Sequence, residues 1–194
     1  MTFYEIMKPE DARSISDLKT IVSSGSRPKF VFFWGHTPKV RGQIDQSCLS
    51  NWFPAKFSVA GIEYPTTEHF MMAEKARLFG DEAIRTQIFK AGSPGSAKSL
   101  GRKVTGFDEA TWREHRFGIV VAGNHAKFAQ NAEMGDLLLR TGSRVLVEAS
   151  PQDRIWGIGM GKDDAHAENP LLWKGLNLLG FALMEVRVRL TERP

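Results

Sequence analysis

Three kinds of hydrophobic spacing run along this chain, and each marks a different element. Between Thr67 and Phe79 the residues are Met, Ala, Glu, Lys, Arg and Leu, strong helix formers, and Gly80 follows as a stop, so the spacing predicts a helix over Thr67–Phe79. Pro65 biases Tyr64 toward extended geometry, and a threonine before the helix can cap its first turn. Upstream, Phe57–Ala60 and Ile62–Tyr64 flank Gly61 as a hairpin. Lys29–Trp34, KFVFFW, reads as a buried strand between Pro28 and Gly35. Glu109–Gln130 is the longest periodic stretch, with Trp112, Phe117, Val120, Val121 and Phe128 along one side and Gly118 and Gly123 interrupting it. Shorter helices are expected over Pro9–Ser23, Glu82–Lys90, Ala97–Lys103 and Ala132–Leu139. Arg144–Ala149 and Arg154–Met160 read as strands joined by the turn Ser150-Pro151-Gln152-Asp153. Asn169-Pro170 reads as a cap and first turn, opening a last helix over Leu171–Leu190. The sum is α+β: a helix-rich single domain with a small β-sheet and hairpin core. Residues 1–28 form an N-terminal extension, and 29–194 the single domain.

Composition narrows the class. A chain of 194 residues that is 42% hydrophobic and 25% charged is an ordinary globular protein able to build its own core. Cys48 stands alone, which excludes an internal disulfide framework or cysteine zinc site. No stretch approaches the roughly 18 apolar residues of a membrane span, and MTFYEIMKPEDAR lacks a signal-peptide pattern, so no membrane partner is expected and the location expected is cytoplasmic. The net charge of +4 suits an anionic ligand such as a phosphorylated nucleotide, but is too small to argue for nucleic acid by itself.

Chemistry concentrates in three places. Glu68 and Lys75 lie seven residues apart on the predicted helix, nearly one face at roughly 100° per residue, and share that stripe with Met72 and Phe79. An ionised pair on an apolar face must be paired, set in a cleft or shifted in pKa, as in an acid/base or nucleophile pair; an ordinary solvated face is the competing reading. The second place is Glu148 to Gly157, where Asp153 and Trp156 surround a turn: Trp156 suits stacking on a flat ring and Asp153 a ribose hydroxyl or water, against a turn cap and a core filler. Gly157-Ile-Gly-Met-Gly161 lacks the dinucleotide fingerprint. The third is Leu49-Ser50-Asn51-Trp52-Phe53-Pro54, polar edges amid aromatics, a composition suited to a planar heterocycle. His36, His69, His115, His125 and His166 show no zinc spacing, and His69 points about 100° from Glu68, as a structural histidine would. No Gly-x-Ser-x-Gly elbow is present.

Taken together, LSNWFP, GIEYPTTEHFMMAEKA, AKFAQN, LLLRTG, LVEASPQDRIWGIG and GLNLLGFALMEVR resemble the YbiA-like, or NADAR, family in order and spacing from about Phe30 to Leu190. Trp52-Phe53 departs from the family's Phe-Tyr-like pair, and the loop His36–Cys48 and residues 1–28 are particular to this chain. The resemblance implies an N-glycosidase without metal or cofactor. Its substrate would be a small phosphoribosyl or ADP-ribosyl compound: a phosphoribosylamino-pyrimidine of riboflavin biosynthesis, or ADP-ribose on guanine, including ADP-ribosylated nucleic acid. It further implies Glu68, Lys75 and Asp153 as catalytic, and Ser50, Asn51, Trp52, His69, Glu148, Trp156 and Gly157 as substrate-binding. A non-catalytic ADP-ribose or nucleotide-binding module, or a protein that docks a partner through its N-terminal extension and aromatic cluster, are the other classes to weigh.

Overall fold

A computed structural model describes residues 7–192. The described chain contains seven α-helices and two two-stranded sheets, helix-rich α+β as the pattern indicates. The described residues divide into two compact units, 7–34 with 138–192, and 35–137.

In the first unit, β1 (Phe30–Phe33) pairs in parallel with β4 (Val145–Glu148), in the register Phe30↔Val145 through Phe33↔Glu148. Parallel strands need a crossover, and here the whole of residues 35–137 lies between them in sequence. Val145, Leu146 and Val147 are completely buried. Helix α7 (Leu178–Thr191) packs on β4 through residues that include Leu179, Leu183 and Val186. A Cβ on Gly180 would overlap the Leu146 carbonyl, so this position sets how closely helix and strand approach. Helix α1 (Ile15–Ser23), capped by the Ser14 hydroxyl, buries Leu18 and Ile21, and Arg13 pairs with Glu185 of α7 at 2.7 Å. Of the predicted helix Pro9–Ser23, the start is a separate 3-10 turn, Pro9–Asp11.

Two expectations for this unit fail, for one reason. Residues 154–160 form no strand, and α7 begins at Leu178 rather than Leu171, with only a 3-10 turn at Pro170–Leu172. The amides of Lys174, Asn177 and Leu179 donate to the carbonyls of Ile158, Gly157 and Trp156, and Leu176 and Leu178 to Arg154 and Ile155. Backbone groups that a ladder and a helix would each need are spent between two loops. Glycine permits the crossing: a Cβ on Gly157 would lie 2.7 Å from the Glu148 carbonyl oxygen, and one on Gly175 would overlap that of Gly157.

The second unit is built on α2 (Thr67–Leu78), against which α3 (Glu82–Phe89), α4 (Pro94–Gly101) and α5 (Glu109–Gln130) pack. The hairpin β2 (Phe57–Val59) and β3 (Ile62–Tyr64) turns at Ala60-Gly61, both with positive φ, and leads into α2. Tyr64 and Phe70 meet edge-on with centroids 5.1 Å apart, and Phe57 joins them. Gly123 does not break α5. A Cβ there would come within 2.5 Å of the Phe70 ring and 3.1 Å of Thr67, so its absence lets α5 lie close against the first turn of α2. Helix α6 (Ala132–Arg140) carries the chain on toward β4.

Candidate functional site

The start of α2 is where the second unit gathers its polar side chains. Thr66 caps the helix by accepting the His69 amide. The Glu68 amide, otherwise an orphan of the first turn, donates to the Asn51 carbonyl at 2.9 Å. Glu68 itself is 3% exposed, a buried carboxylate at the end of α2 where the helix dipole favours negative charge. Asn51, whose carbonyl receives that amide, and its neighbour Ser50 are themselves buried. The Ser50 hydroxyl accepts the Trp52 amide at 3.1 Å, closing a tight turn. Trp52 is half-buried, with its ring 5.6 Å from that of His36 and 5.8 Å from the Lys98 ammonium.

His69 is 2% exposed and spends both ring nitrogens on the protein. Nε2 lies 3.0 Å from the Ala91 carbonyl, which only accepts, so Nε2 carries the hydrogen and Nδ1 accepts from the Thr66 hydroxyl at 2.8 Å. Burial lowers its pKa and keeps it neutral. In this structure His69 braces the helix cap.

Lys75 sits two turns further along α2, in the last turn. Its ammonium donates to the Gly101 carbonyl at 2.9 Å and stands 4.1 Å from the Phe107 ring centroid and 5.6 Å from that of Trp112. Burial lowers its pKa, and Glu109 opposes the shift. A half-buried amine shifted this way is easier to deprotonate than a surface lysine.

The first unit holds the remaining residues of the predicted set. Asp153 Oδ1 accepts the amides of Ile155 and Trp156, each at 2.8 Å, so the carboxylate organises the turn that carries half-buried Trp156. The Ser150 hydroxyl accepts the Asp153 amide at 3.2 Å. Glu148 ends β4 with its amide bound to Asn177 and its carbonyl to the Ile158 amide. Gly157 is buried at the crossing described above. Within each unit, then, the predicted residues fall into one group: Ser50, Asn51, Trp52, Glu68 and His69 in one, with Lys75 apart at the other end of α2, and Glu148, Asp153, Trp156 and Gly157 in the other.

Sequence reasoning missed three side chains that hold these groups in place. Asn124 donates to Asn51 Oδ1 at 3.0 Å. Lys127, completely buried, donates to the carbonyls of Cys48 at 2.6 Å and Ser50 at 2.9 Å. Asn177, also completely buried, bonds to two backbone groups of β4. A signal for the first two existed: Arg116, Asn124 and Lys127 interrupt the apolar stripe of α5, where a polar residue needs a partner inside.

Burial pulls the Lys127 ammonium from 10.5 down to about 8. A folded pKa below the unfolded one means that the unfolded chain holds more protons between pH 8 and 10.5, so this group's contribution to stability rises with pH across that window. The expected size is ~3 kcal/mol. Urea unfolding from pH 7 to 10.5 should show that rise in the wild type and lose it in Lys127→Met; parallel curves would contradict it.

Among the described residues no group of three or more His, Cys, Asp or Glu side chains is placed to hold a metal ion, and no helix is long and apolar enough to cross a membrane.

With this geometry in view, the chain belongs to the NADAR family: the NADAR domain model matches residues 32–191. The enzyme class is that of the N-glycosyl hydrolases. The chain is 41% identical over 164 residues to "N-glycosidase R617" of Acanthamoeba polyphaga mimivirus, covering 82% of this chain and 95% of that protein. It is 34% identical over 146 residues to "N-glycosidase YbiA" of Escherichia coli K12, covering 75% and 82%. The NMR structure of the E. coli protein YbiA superposes with a TM-score of 0.66 at 30% identity, covering 86% of this chain and 87% of that one.

Proposed function

We propose that this chain hydrolyses the C–N bond between a ribosyl carbon and a ring or exocyclic nitrogen in a nucleotide-like substrate, with Glu68 as the acid/base carboxylate. The observation that carries the reading is Glu68 itself: an acidic side chain 97% removed from solvent, its backbone pinned by Asn51, in a chain whose relatives are named N-glycosidases. Cleavage passes through a cation-like ribosyl carbon. A buried carboxylate stabilises that charge, and in its protonated form supplies the proton the departing nitrogen needs. Ser50, Asn51 and Trp52, in the same unit as Glu68, are assigned to hold the leaving ring. The substrate is either a phosphoribosylamino-pyrimidine or ADP-ribose joined to guanine.

Lys75 is assigned as nucleophile or, with its charge kept, as phosphate ligand; the nucleophilic role requires its amine to leave the Gly101 carbonyl. The neutral amine bonds to the anomeric carbon, the C–N bond breaks with its electron pair moving to the leaving nitrogen, and that nitrogen takes the proton from Glu68. The ammonium formed on attack returns one proton to the Glu68 carboxylate, and the nitrogen's remaining proton passes to the ring oxygen as that C–O bond breaks, leaving an imine that water then cleaves, restoring lysine and free ribosyl product. Sodium borohydride added during turnover should therefore reduce the imine and leave a ribosyl mass on the peptide containing Lys75, with none on Lys75→Ala. A Lys75→Ala enzyme that turns over normally would remove Lys75 from the chemistry. One with a raised KM, and no trapped adduct in the wild type, would make it a phosphate ligand instead.

The reaction itself is tested by release assays on two substrates in parallel. One is a phosphoribosylamino-pyrimidine and the other an oligonucleotide carrying ADP-ribosylated guanine. Release from the first alone assigns a metabolite; release from the second alone assigns modified nucleic acid. Release from neither, with tight binding of ADP-ribose, would replace the hydrolase reading by a binding module.

A further inference from the structure

The inward face of α5 carries a buried ammonium whose bonds all go to one short segment. Lys127 Nζ reaches the carbonyls of Cys48 and Ser50, two residues apart, and stands 5.8 Å from the Phe53 ring centroid and 5.0 Å from that of Phe128. One turn before it, Asn124 donates to Asn51 Oδ1 and to the Val120 carbonyl of its own helix. Asn51, next in the chain after Ser50, offers its carbonyl to the Glu68 amide.

We infer that Lys127, with Asn124, is a positioning residue for the Glu68 carboxylate, acting from α5 through residues 48–51 onto the first turn of α2. This rests on the acid/base reading of Glu68 given above. The physical need is specific. Backbone amides in the middle of α5 are used within the helix, so only a side chain can donate to the carbonyls of a facing loop. A lysine combines enough reach, an apolar stem that passes through the core, and several protons on one nitrogen. Two donated bonds to carbonyls two residues apart fix the turn through Ser50, and the Ser50 carbonyl also receives the Phe53 amide. Asn51 leaves that turn with its side chain held by Asn124 and its carbonyl aimed at Glu68. A displacement at Cys48–Ser50 is thereby passed to the backbone of Glu68, where errors on the order of 1 Å cost catalysis heavily. If Lys127 only filled space, methionine, unbranched and of similar length, would serve equally well.

The test compares wild type, Lys127→Met, Glu68→Gln and the double variant, using whichever of the two release substrates the wild type turns over. Lys127→Met is expected to fold, by circular dichroism and thermal melting, with kcat lowered at least about tenfold and KM changed less than about threefold, the pattern of an interaction made in the transition state. On the Glu68→Gln background the same substitution should change the residual rate less than about twofold, since its route runs through the missing carboxylate. A folded Lys127→Met with wild-type kcat overturns the inference, as does an equal loss on both backgrounds. Asn124→Ala, which moves no charge, is run through the same comparison and decides the matter if Lys127→Met does not fold. A Glu68→Gln enzyme with wild-type turnover would instead overturn the reading of Glu68, and is read separately from the effect of Lys127→Met on the wild type.

Discussion

Glu68→Gln is expected to cost at least about 100-fold in turnover while leaving the protein folded, a barrier increase of about 3 kcal/mol. Glutamine has the same shape, and the backbone features at this position do not depend on the carboxylate. The Glu68 amide still donates to Asn51, and Thr66 still caps the helix. Under the proposed acid/base role, what disappears is the carboxylate that stabilises the ribosyl cation and the proton for the leaving nitrogen. The stability change combines a lost helix-dipole interaction of about 0.3–1 kcal/mol with relief from burying a charge, so melting should move by only a few degrees. Glu68→Asp separates charge from placement: it keeps the carboxylate but withdraws it by one carbon, and is expected to fall between the two. A Glu68→Gln enzyme within about threefold of wild type would move the acid/base role elsewhere.

The parts of this fold legible from the sequence are those whose causes lie within a few residues. Helix α2 ends within one residue of its expected limit because its start is set by Thr66, its length by helix-forming residues and its stop by Gly80. The hairpin before it and the strand at Phe30–Phe33 follow equally local cues. The failures lie where two distant segments share backbone bonds. Arg154–Met160 has strand composition and Leu171–Leu190 helix composition, but the amides of Lys174 and of residues 176–179 are committed to carbonyls about twenty residues earlier. Neither run could reveal this alone. The candidate site divides the same way. Glu68, Asn51 and Trp52 stand out by type in short motifs, whereas Asn124 and Lys127 matter only because α5 packs over residues 48–51. His69 shows the converse: it lies beside a candidate acid in sequence, while its ring turns to the Ala91 carbonyl.

The second large effect belongs to Asn177, and it is one of stability. Residues 145, 147 and 149 of the β4 region turn their bonding edge toward β1, so Leu146 and Glu148 face away from it with no further strand among the described residues to meet them. Asn177 meets them with its side chain: Nδ2 donates to the Leu146 carbonyl at 2.9 Å, and Oδ1 accepts the Glu148 amide at 3.0 Å. One amide thus stands in for a neighbouring strand, and it does so from a left-handed residue with φ of 53° immediately before α7. Asn177→Ala leaves both backbone groups buried without that partner, at about 1–3 kcal/mol each, and asks alanine to hold a conformation costing about 1–2 kcal/mol. The expected loss is at least about 3 kcal/mol, measured by urea unfolding. Asn177→Gly removes the same bonds without the conformational strain and should lose about 1 kcal/mol less. Asn177→Asp keeps the acceptor for Glu148 but sets a carboxylate oxygen against the Leu146 carbonyl, and should fare no better than alanine. An alanine variant within about 1 kcal/mol of wild type would mean that water or a shifted loop satisfies β4, and that the amide is dispensable. If the loss appears, the edge of the strand that ends in Glu148 is held by the Asn177 side chain together with the Ile158 amide on the Glu148 carbonyl, and Asn177 also fixes where α7 begins.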